Sequence, residues 1–296
     1  MTAALDRDVV ADRLLRGSVR RSYQPEVDID WDAPLVPGKY FLPPPVISLY
    51  GTPLWDEMTL EQRIELSRQE LANVLSVGIW FENILNRALL MNLLREDHRS
   101  AHAHYMLTEM GDECRHMTMF GKVIAKSGAK PYGLNFGDRV VVQALPFFLR
   151  GSLLWVAALV GEEIFDALQR RMLDHDELQP IVSQLMRIHV TEEARHIKFA
   201  REGVVRRMEH VGRTERLLTG NLVGLGGPVF RHAFSNPNVY RRAGLDPVRA
   251  AREAKENPHM QEAQITGFAP LAEFLTENGL LGPVGRRMWR RAGFLP

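Results

Sequence analysis

Two short strings, Asp112-Glu113-Cys114-Arg115-His116 and Glu192-Glu193-Ala194-Arg195-His196, repeat one order of residue types at an offset of 80 positions: an acid, Glu, any residue, Arg, His. The same offset carries Glu82 to Glu162, so each Glu-x-x-His lies 31 residues after a solitary glutamate. A glutamate and a histidine three apart share one helix face and can grip one ion together. Carboxylates mixed with a few imidazoles suit iron or manganese better than the metals that favour thiolates. A duplication on this scale predicts two helical hairpins related by a pseudo-twofold axis, with the repeated polar residues meeting at it.

Helical periodicity puts these groups inside. At about 100° per residue, Met106, Glu109, Met110, His116, Met117 and Phe120 share the face of Glu113, while Arg115, Lys122 and Lys126 lie opposite. Val182, Met186, His189, Val190, His196 and Ile197 share the face of Glu193 in the same way. Glu82, Glu113, Glu162 and Glu193 converging in an apolar interior would repel one another, and each uncompensated charge costs several kcal/mol unless protons or cations neutralise it. Two divalent ions balance four carboxylates.

Other residues sort around this core of six. His189 precedes Glu193 by one turn on the same face, which makes it a candidate third histidine ligand; Glu109 occupies the matching place in the other half and reads as a residue that supports the ligands or lines a pocket, with ligation as the alternative. Asp112 and Glu192 are placed to accept the free imidazole N–H of a histidine across the bundle. Asn86 and Asp166, each one turn beyond a solitary glutamate, could orient those carboxylates or simply bond across a helix contact. Gly78 and Ala158, one turn before them, either leave room for a small molecule or let helices pack closely.

The elements needed to hold these residues can be read from caps and breakers. Thr59-Leu-Glu-Gln62 fits a capping box, which starts a helix running to about Arg95. A second helix is expected from about Ser100 to Lys126, a third from about Asp138 to Leu173 and a fourth from about Glu177 to Glu209. Residues 1–57, rich in Pro, Asp and aromatic residues, read as an extended arm; residues 58–211 form the four-helix bundle; residues 212–296 break into short helices near 246–256, 268–278 and 283–292 that cover one side. No segment alternates with period two, so the expected fold is all-α.

Composition narrows the function classes. Lys and Arg number 37 against 36 Asp and Glu, so no overall field draws the 296-residue chain to nucleic acid or anionic lipid. The single cysteine, Cys114, excludes an internal disulfide and thiolate metal sites, which points to a reducing cytoplasm. The N-terminus lacks the apolar run of an export signal. The most apolar stretch, Val140–Leu168, is interrupted by Pro146, Arg150, Glu162, Glu163 and Asp166 and reads as a buried helix, so no membrane partner is expected.

Glu82, Glu113-x-x-His116, Glu162 and His189-x-x-x-Glu193-x-x-His196 together resemble the AurF-type di-iron oxygenases, the p-aminobenzoate N-oxygenase family of the ferritin-like superfamily. The likeness spans roughly residues 45–210, including SLYGTPLW. It implies seven ligands to two iron ions, with a manganese–iron pair as the alternative, in a ferritin-like four-helix bundle. It implies a monooxygenase that activates O2 to oxidise a small organic substrate, an aryl amine in the type reaction, as a homodimer. No flavin, nicotinamide or iron–sulfur motif is evident, so electrons must come from a separate reductase. The competing readings are a ferritin-type ferroxidase or iron store, against which the arm and tail argue, and a manganese–iron ligand-binding oxidase. A ribonucleotide reductase small subunit is disfavoured because Phe120 stands where that family usually carries its radical tyrosine.

Overall fold

A computed structural model describes residues 6–173 and 175–296; residues 1–5, the start of the expected arm, lie outside the described residues. Among the described residues the chain is all helical, with no strand beyond a single bridge between Tyr40 and Leu178. The first part holds α1 (Arg7–Arg20), α2 (Pro25–Asp28) and α3 (Pro53–Glu57). The bundle region holds α4 (Leu60–Leu93), α5 (Ala101–Ser127), α6 (Phe136–Ala144), α7 (Ser152–Arg170) and α8 (Pro180–His210). Then follow α9 (Arg213–Gly224), α10 (Gly226–Phe234), α11 (Pro237–Arg242), α12 (Pro247–Glu256), α13 (Pro258–Glu277) and α14 (Pro283–Ala292).

The capping box forms as its residues dictate: Thr59 Oγ1 accepts from the Gln62 N–H at 3.3 Å, and Gln62 Oε1 accepts from the Thr59 N–H at 3.0 Å. Ser100 caps α5 through the Ala103 N–H, and Gly128 ends it in the left-handed conformation that Cβ-bearing residues resist. The tightest pairs are α4 with α5 and α7 with α8, two hairpins that meet through α5–α8 and α4–α7. Two apolar clusters fill the bundle. One, around Leu85, Tyr105, Leu159 and Phe199, lies towards one end, and the other, around Leu75, Phe120, Leu185 and Met186, towards the opposite end.

Three expectations need correction. The third helix is not continuous: α6 ends in a 3-10 turn at Leu145–Phe147, and Gly151, at φ +56°, resets the chain before α7. Pro146 removes one ladder N–H and Gly151 takes a backbone shape costly for any other residue, so the break has a local cause. The arm is not wholly extended, because Val10, Ala11 and Leu14 line one face of α1 and are buried against α5 and α8. Asp6 accepts from the Asp8 N–H and caps it. The segment after Gly212 is helical almost throughout, including α9, α10 and α11, where Gly, Pro and Asn had suggested breaks. Those residues mark helix ends: Pro237, Pro247, Pro258 and Pro283 each open a helix, where a missing N–H is harmless.

The second hairpin is tied to the first part of the chain. Tyr40 N–H donates to Glu177 O and Tyr40 O accepts from Gln179 N–H, at 2.9 and 2.8 Å. α10 and α11 pack on α4, and α9 and α13 on α7. Among the described residues one helix, Leu60–Leu93, is by length and composition apolar enough to cross a membrane; it is α4, whose apolar residues are largely committed to the bundle interior.

Candidate metal centre

Each helix of the two hairpins turns at least one carboxylate into the interior: Glu82 from α4, Glu113 from α5, Glu162 from α7 and Glu193 from α8. α5 adds His116 and Glu109, and α8 adds His189 and His196. All eight side chains are buried. Their ligand atoms gather into two overlapping groups, Glu82, His116, His189 and Glu193, and Glu113, His116, Glu193 and His196; within each group every pair of ligand atoms lies inside 4.8 Å. His116 Nδ1 is 2.8 Å from Glu113 Oε2 and 3.3 Å from Glu193 Oε1, and His196 Nδ1 is 2.7 Å from Glu113 Oε1. His189 Nε2 lies 3.5 Å from Glu193 Oε1 and 3.8 Å from Glu82 Oε1.

Glu162 is not drawn into either group. Its carboxylate is buried with both oxygens lacking a hydrogen-bond partner, within the electrostatic reach of Glu109, Glu193, His196 and Glu113. Glu109 shares that side of the cluster with one orphaned oxygen.

The histidines hold their cluster-facing nitrogens by their other ends. His116 Nε2 is 2.9 Å from Glu192 Oε2, and His196 Nε2 is 3.2 Å from Asp112 Oδ2, so the pairs cross between α5 and α8. The carboxylates are held in turn by arginine. Arg115 pairs with Asp112, and Arg195 Nη2 lies 3.6 Å from both Asp112 and Glu192. Sequence reasoning left these arginines on the outer face; the available signal was the repeated Arg in the pentapeptide.

Asn86 and Asp166 sit elsewhere. Asn86 Nδ2 donates to Met110 O at 3.4 Å, and Asp166 accepts from Arg170 Nε at 2.6 Å, so neither is bonded to a solitary glutamate. Asn86 thus reaches the backbone of the neighbouring α5, and Asp166 pairs with an arginine one turn on in its own helix. The place beside Gly78 is not open either, because a methyl there would meet the Phe120 ring at 2.8 Å. Phe120 packs on His189 with ring centroids 4.9 Å apart, so the small residue admits an aromatic wall to the cluster.

Electrostatics test whether cations fit. Burial raises Glu82 and Glu162 well above the usual carboxylate range, and neighbouring carboxylates add to the effect. Burial likewise lifts Glu109 to about 8. Burial also works against Glu113 and Glu193, but His196 and His116 hold Glu113 well below its usual range, and His189, His196 and a bond from His116 take Glu193 down to about 2. The same carboxylates keep His116 and His196 protonated despite burial, whereas burial and the charge of His116 lower His189 to about 3. With protons alone, then, three carboxyls must stay neutral and two imidazoles charged. Glu82 keeps one buried oxygen, Glu162 both, and His189 both ring nitrogens without a hydrogen-bond partner, so each has a lone pair free for a cation. Divalent ions satisfy them and displace the protons, so the residues fit a pair of metal ions.

Comparison with known proteins agrees with this geometry. The family described as P-aminobenzoate N-oxygenase AurF matches residues 4–279. The chain is 31% identical over 291 residues to the uncharacterized protein Mb0909 of Mycobacterium bovis and, equally, to the uncharacterized protein Rv0885 of Mycobacterium tuberculosis, covering 94% of this chain and 84% of each relative. With a match over nearly its whole length and a buried carboxylate–histidine cluster in an all-α bundle, the chain belongs to the AurF family of ferritin-like di-iron oxygenases.

Proposed function

We propose that Glu82, Glu113, His116, Glu162, His189, Glu193 and His196 hold two iron ions, and that the enzyme uses O2 to N-oxygenate an aryl amine. The observation that carries this is the buried cluster of ligand atoms that α4, α5 and α8 bring together, several of them without a hydrogen-bond partner, with the unpartnered Glu162 carboxylate of α7 buried within their electrostatic reach. A reduced iron pair supplies the electrons that activate O2 next to the bound substrate. The chain's own residues do the rest. Asp112 and Glu192 fix which nitrogen of His196 and His116 faces the ions, and Phe120 and Phe165 exclude water from the Gly78 side of the cluster.

A cavity of about 650 Å³ flanks α4 and α7 beneath the C-terminal helices, large enough for a substituted aromatic ring. Its wall is mainly apolar, with Val74, Leu168 and Phe234 on the side towards the bundle, and Phe234 stacks edge-on to Phe165 at 5.3 Å. We assign this cavity to the substrate. A separate protein donates electrons and the chain works as a homodimer; the exposed apolar side chains Phe136, Val141 and Phe148 in and after α6 are the kind of surface a second copy covers.

The decisive experiment loads the protein with iron(II) without air, counts ions per chain, and admits ¹⁸O-labelled O2 with a panel of aryl amines. The expected products are hydroxylamines, nitroso or nitro compounds carrying the label. Uptake of fewer than two ions per chain, or label found only in water whatever the amine, rejects the reading.

A further inference from the structure

We propose that the face formed by α1, α5 and α8 is the docking surface for a small acidic electron-carrier protein, and that Asp112, Glu192, Arg115 and Arg195 join it to the metal centre. The inference rests on the di-iron reading above and adds to it the place and charge of the partner.

Two of the three cluster histidines point their far nitrogens to this side. The path is short: His116 to Glu192 and His196 to Asp112, at 2.9 and 3.2 Å, then Arg115 and Arg195. The two carboxylates are almost wholly buried, Arg195 is 11% exposed and Arg115 38%, so one layer of side chains separates the histidine partners from solvent. His189, by contrast, has no bonded partner at either nitrogen. The substrate cavity lies against α4 and α7, the other pair of bundle helices. An electron carrier seated on α5 and α8 therefore does not compete with substrate entry.

The surface has the charge such a partner needs. Arg115 and Arg195 line a shallow depression of about 470 Å³ together with Arg16 and Arg20 from α1. The acids in its wall, Asp112 and Glu192, are already engaged by the histidines and arginines, and Arg16 is paired with Asp12 nearby. Four arginines against the two acids leave the lining net positive, and Val19, 84% exposed, lines the same depression beside Arg20, which is unpaired among the described residues. An exposed apolar side chain on a net positive depression suits brief association with an oppositely charged protein, with steering that depends on ionic strength. Iron–sulfur and flavin carriers with acidic surfaces are that class. Two carrier molecules each lose one electron for every pair of iron(III) ions taken to iron(II).

The test uses an acidic plant-type [2Fe–2S] ferredoxin as the probe and the full-length iron-loaded protein. At low salt, binding of the oxidised ferredoxin is measured by calorimetry and reduction by its reduced form by stopped flow. Replacing both Arg16→Glu and Arg20→Glu should weaken binding and slow reduction by about tenfold or more. Arg287→Glu, an exposed reversal on α14 outside the depression, should change neither. Metal content, melting temperature and the rate of reduction by a neutral small molecule report whether the double variant is intact. If the wild-type protein does not bind ferredoxin, or if the two reversals act equally, the docking surface is wrong. If the protein holds two irons that a small reductant reduces and O2 then leaves unreacted, the oxygenase reading fails instead, whatever ferredoxin does.

Discussion

A histidine that must present one nitrogen to a cation needs its other nitrogen fixed, and here the fixing groups are Asp112 for His196 and Glu192 for His116. Loss of such a partner typically costs a metal site about 10–100-fold in affinity. Asp112→Asn and Glu192→Gln should each weaken metal binding in that range, read by competition with a chelator, while Asn86→Ala, whose side chain bonds a backbone carbonyl, should not. Equal affinities in all three variants would remove Asp112 and Glu192 from the site. A second prediction concerns Glu70, which lines the large cavity and accepts from the Ser48 hydroxyl and N–H, with Tyr240 on the same hydroxyl. Burial, opposed by the bonds from Ser48, lifts Glu70 to about 7. A carboxyl with a raised folded-state pKa adds stability that is complete below its ordinary value and is lost as pH rises through the folded one. Glu70→Gln should therefore flatten the fall in stability between about pH 5 and 8, by on the order of 1–3 kcal/mol, in urea titrations at each pH. An unchanged slope would mean that the carboxyl ionises freely in the cavity.

At the scale of elements, the site depends on how closely α7 approaches α8. Gly203 of α8 faces the Trp155 ring of α7 so tightly that a Cβ would overlap it. Trp155 packs in turn on Phe199, and Phe199 on Tyr105, one turn before Glu109. Gly203→Ala should cost about 1–3 kcal/mol, the usual range for overpacking a filled core, as a lower melting temperature with two-ion uptake retained. A variant as stable as the parent would show that the helices can separate freely. The same packing explains what could be read from the chain in advance. The bundle and the meeting of Glu82, Glu113, His116, His189, Glu193 and His196 follow from two local signals, a 3.6-residue period and a capping box, and one long-range one, the 80-residue repeat. The helix α1 was hidden because only three of its residues, Val10, Ala11 and Leu14, are buried and the stability comes from docking on α5 and α8. The interruption before α7 was present in Pro146 and Gly151, but a strongly apolar flank made the segment look continuous. The place of Asn86 depends on a backbone carbonyl of α5, which spacing along α4 cannot supply, whereas Asp166 is held by Arg170 one turn on in its own helix, a pairing that the i, i+4 spacing already offered.

For the whole molecule, the cluster makes stability, pH and metal content one coupled quantity. Without ions, burial keeps Glu82, Glu162 and Glu109 protonated above the 4.5 they would have in the unfolded chain, and the surrounding carboxylates, against the effect of burial, keep His116 and His196 protonated above 6.5. Each of these binds more protons folded than unfolded, so each contribution is lost as pH rises, with Glu109 ionising near 8. His189, lowered to about 3, and Glu193, lowered to about 2, act in the opposite sense, but their windows close below about 6.5 and 4.5. Between about pH 7 and 9 the falling contributions therefore stand unopposed, and the metal-free protein should melt at progressively lower temperature. Ions that replace those protons reverse the trend, since deprotonated ligands bind more tightly as pH rises. Ions present at about a hundred times their dissociation constant should also add about 2.7 kcal/mol per independent site. Calorimetric melting of chelator-treated and manganese- or iron-loaded protein across this range separates the two curves, and Glu70, common to both, cancels in the difference. A gap that widens with pH is the expected result. A constant gap, or no gap, would mean that the buried carboxyls keep their protons in the presence of metal and that the four-helix cluster is not where the ions bind.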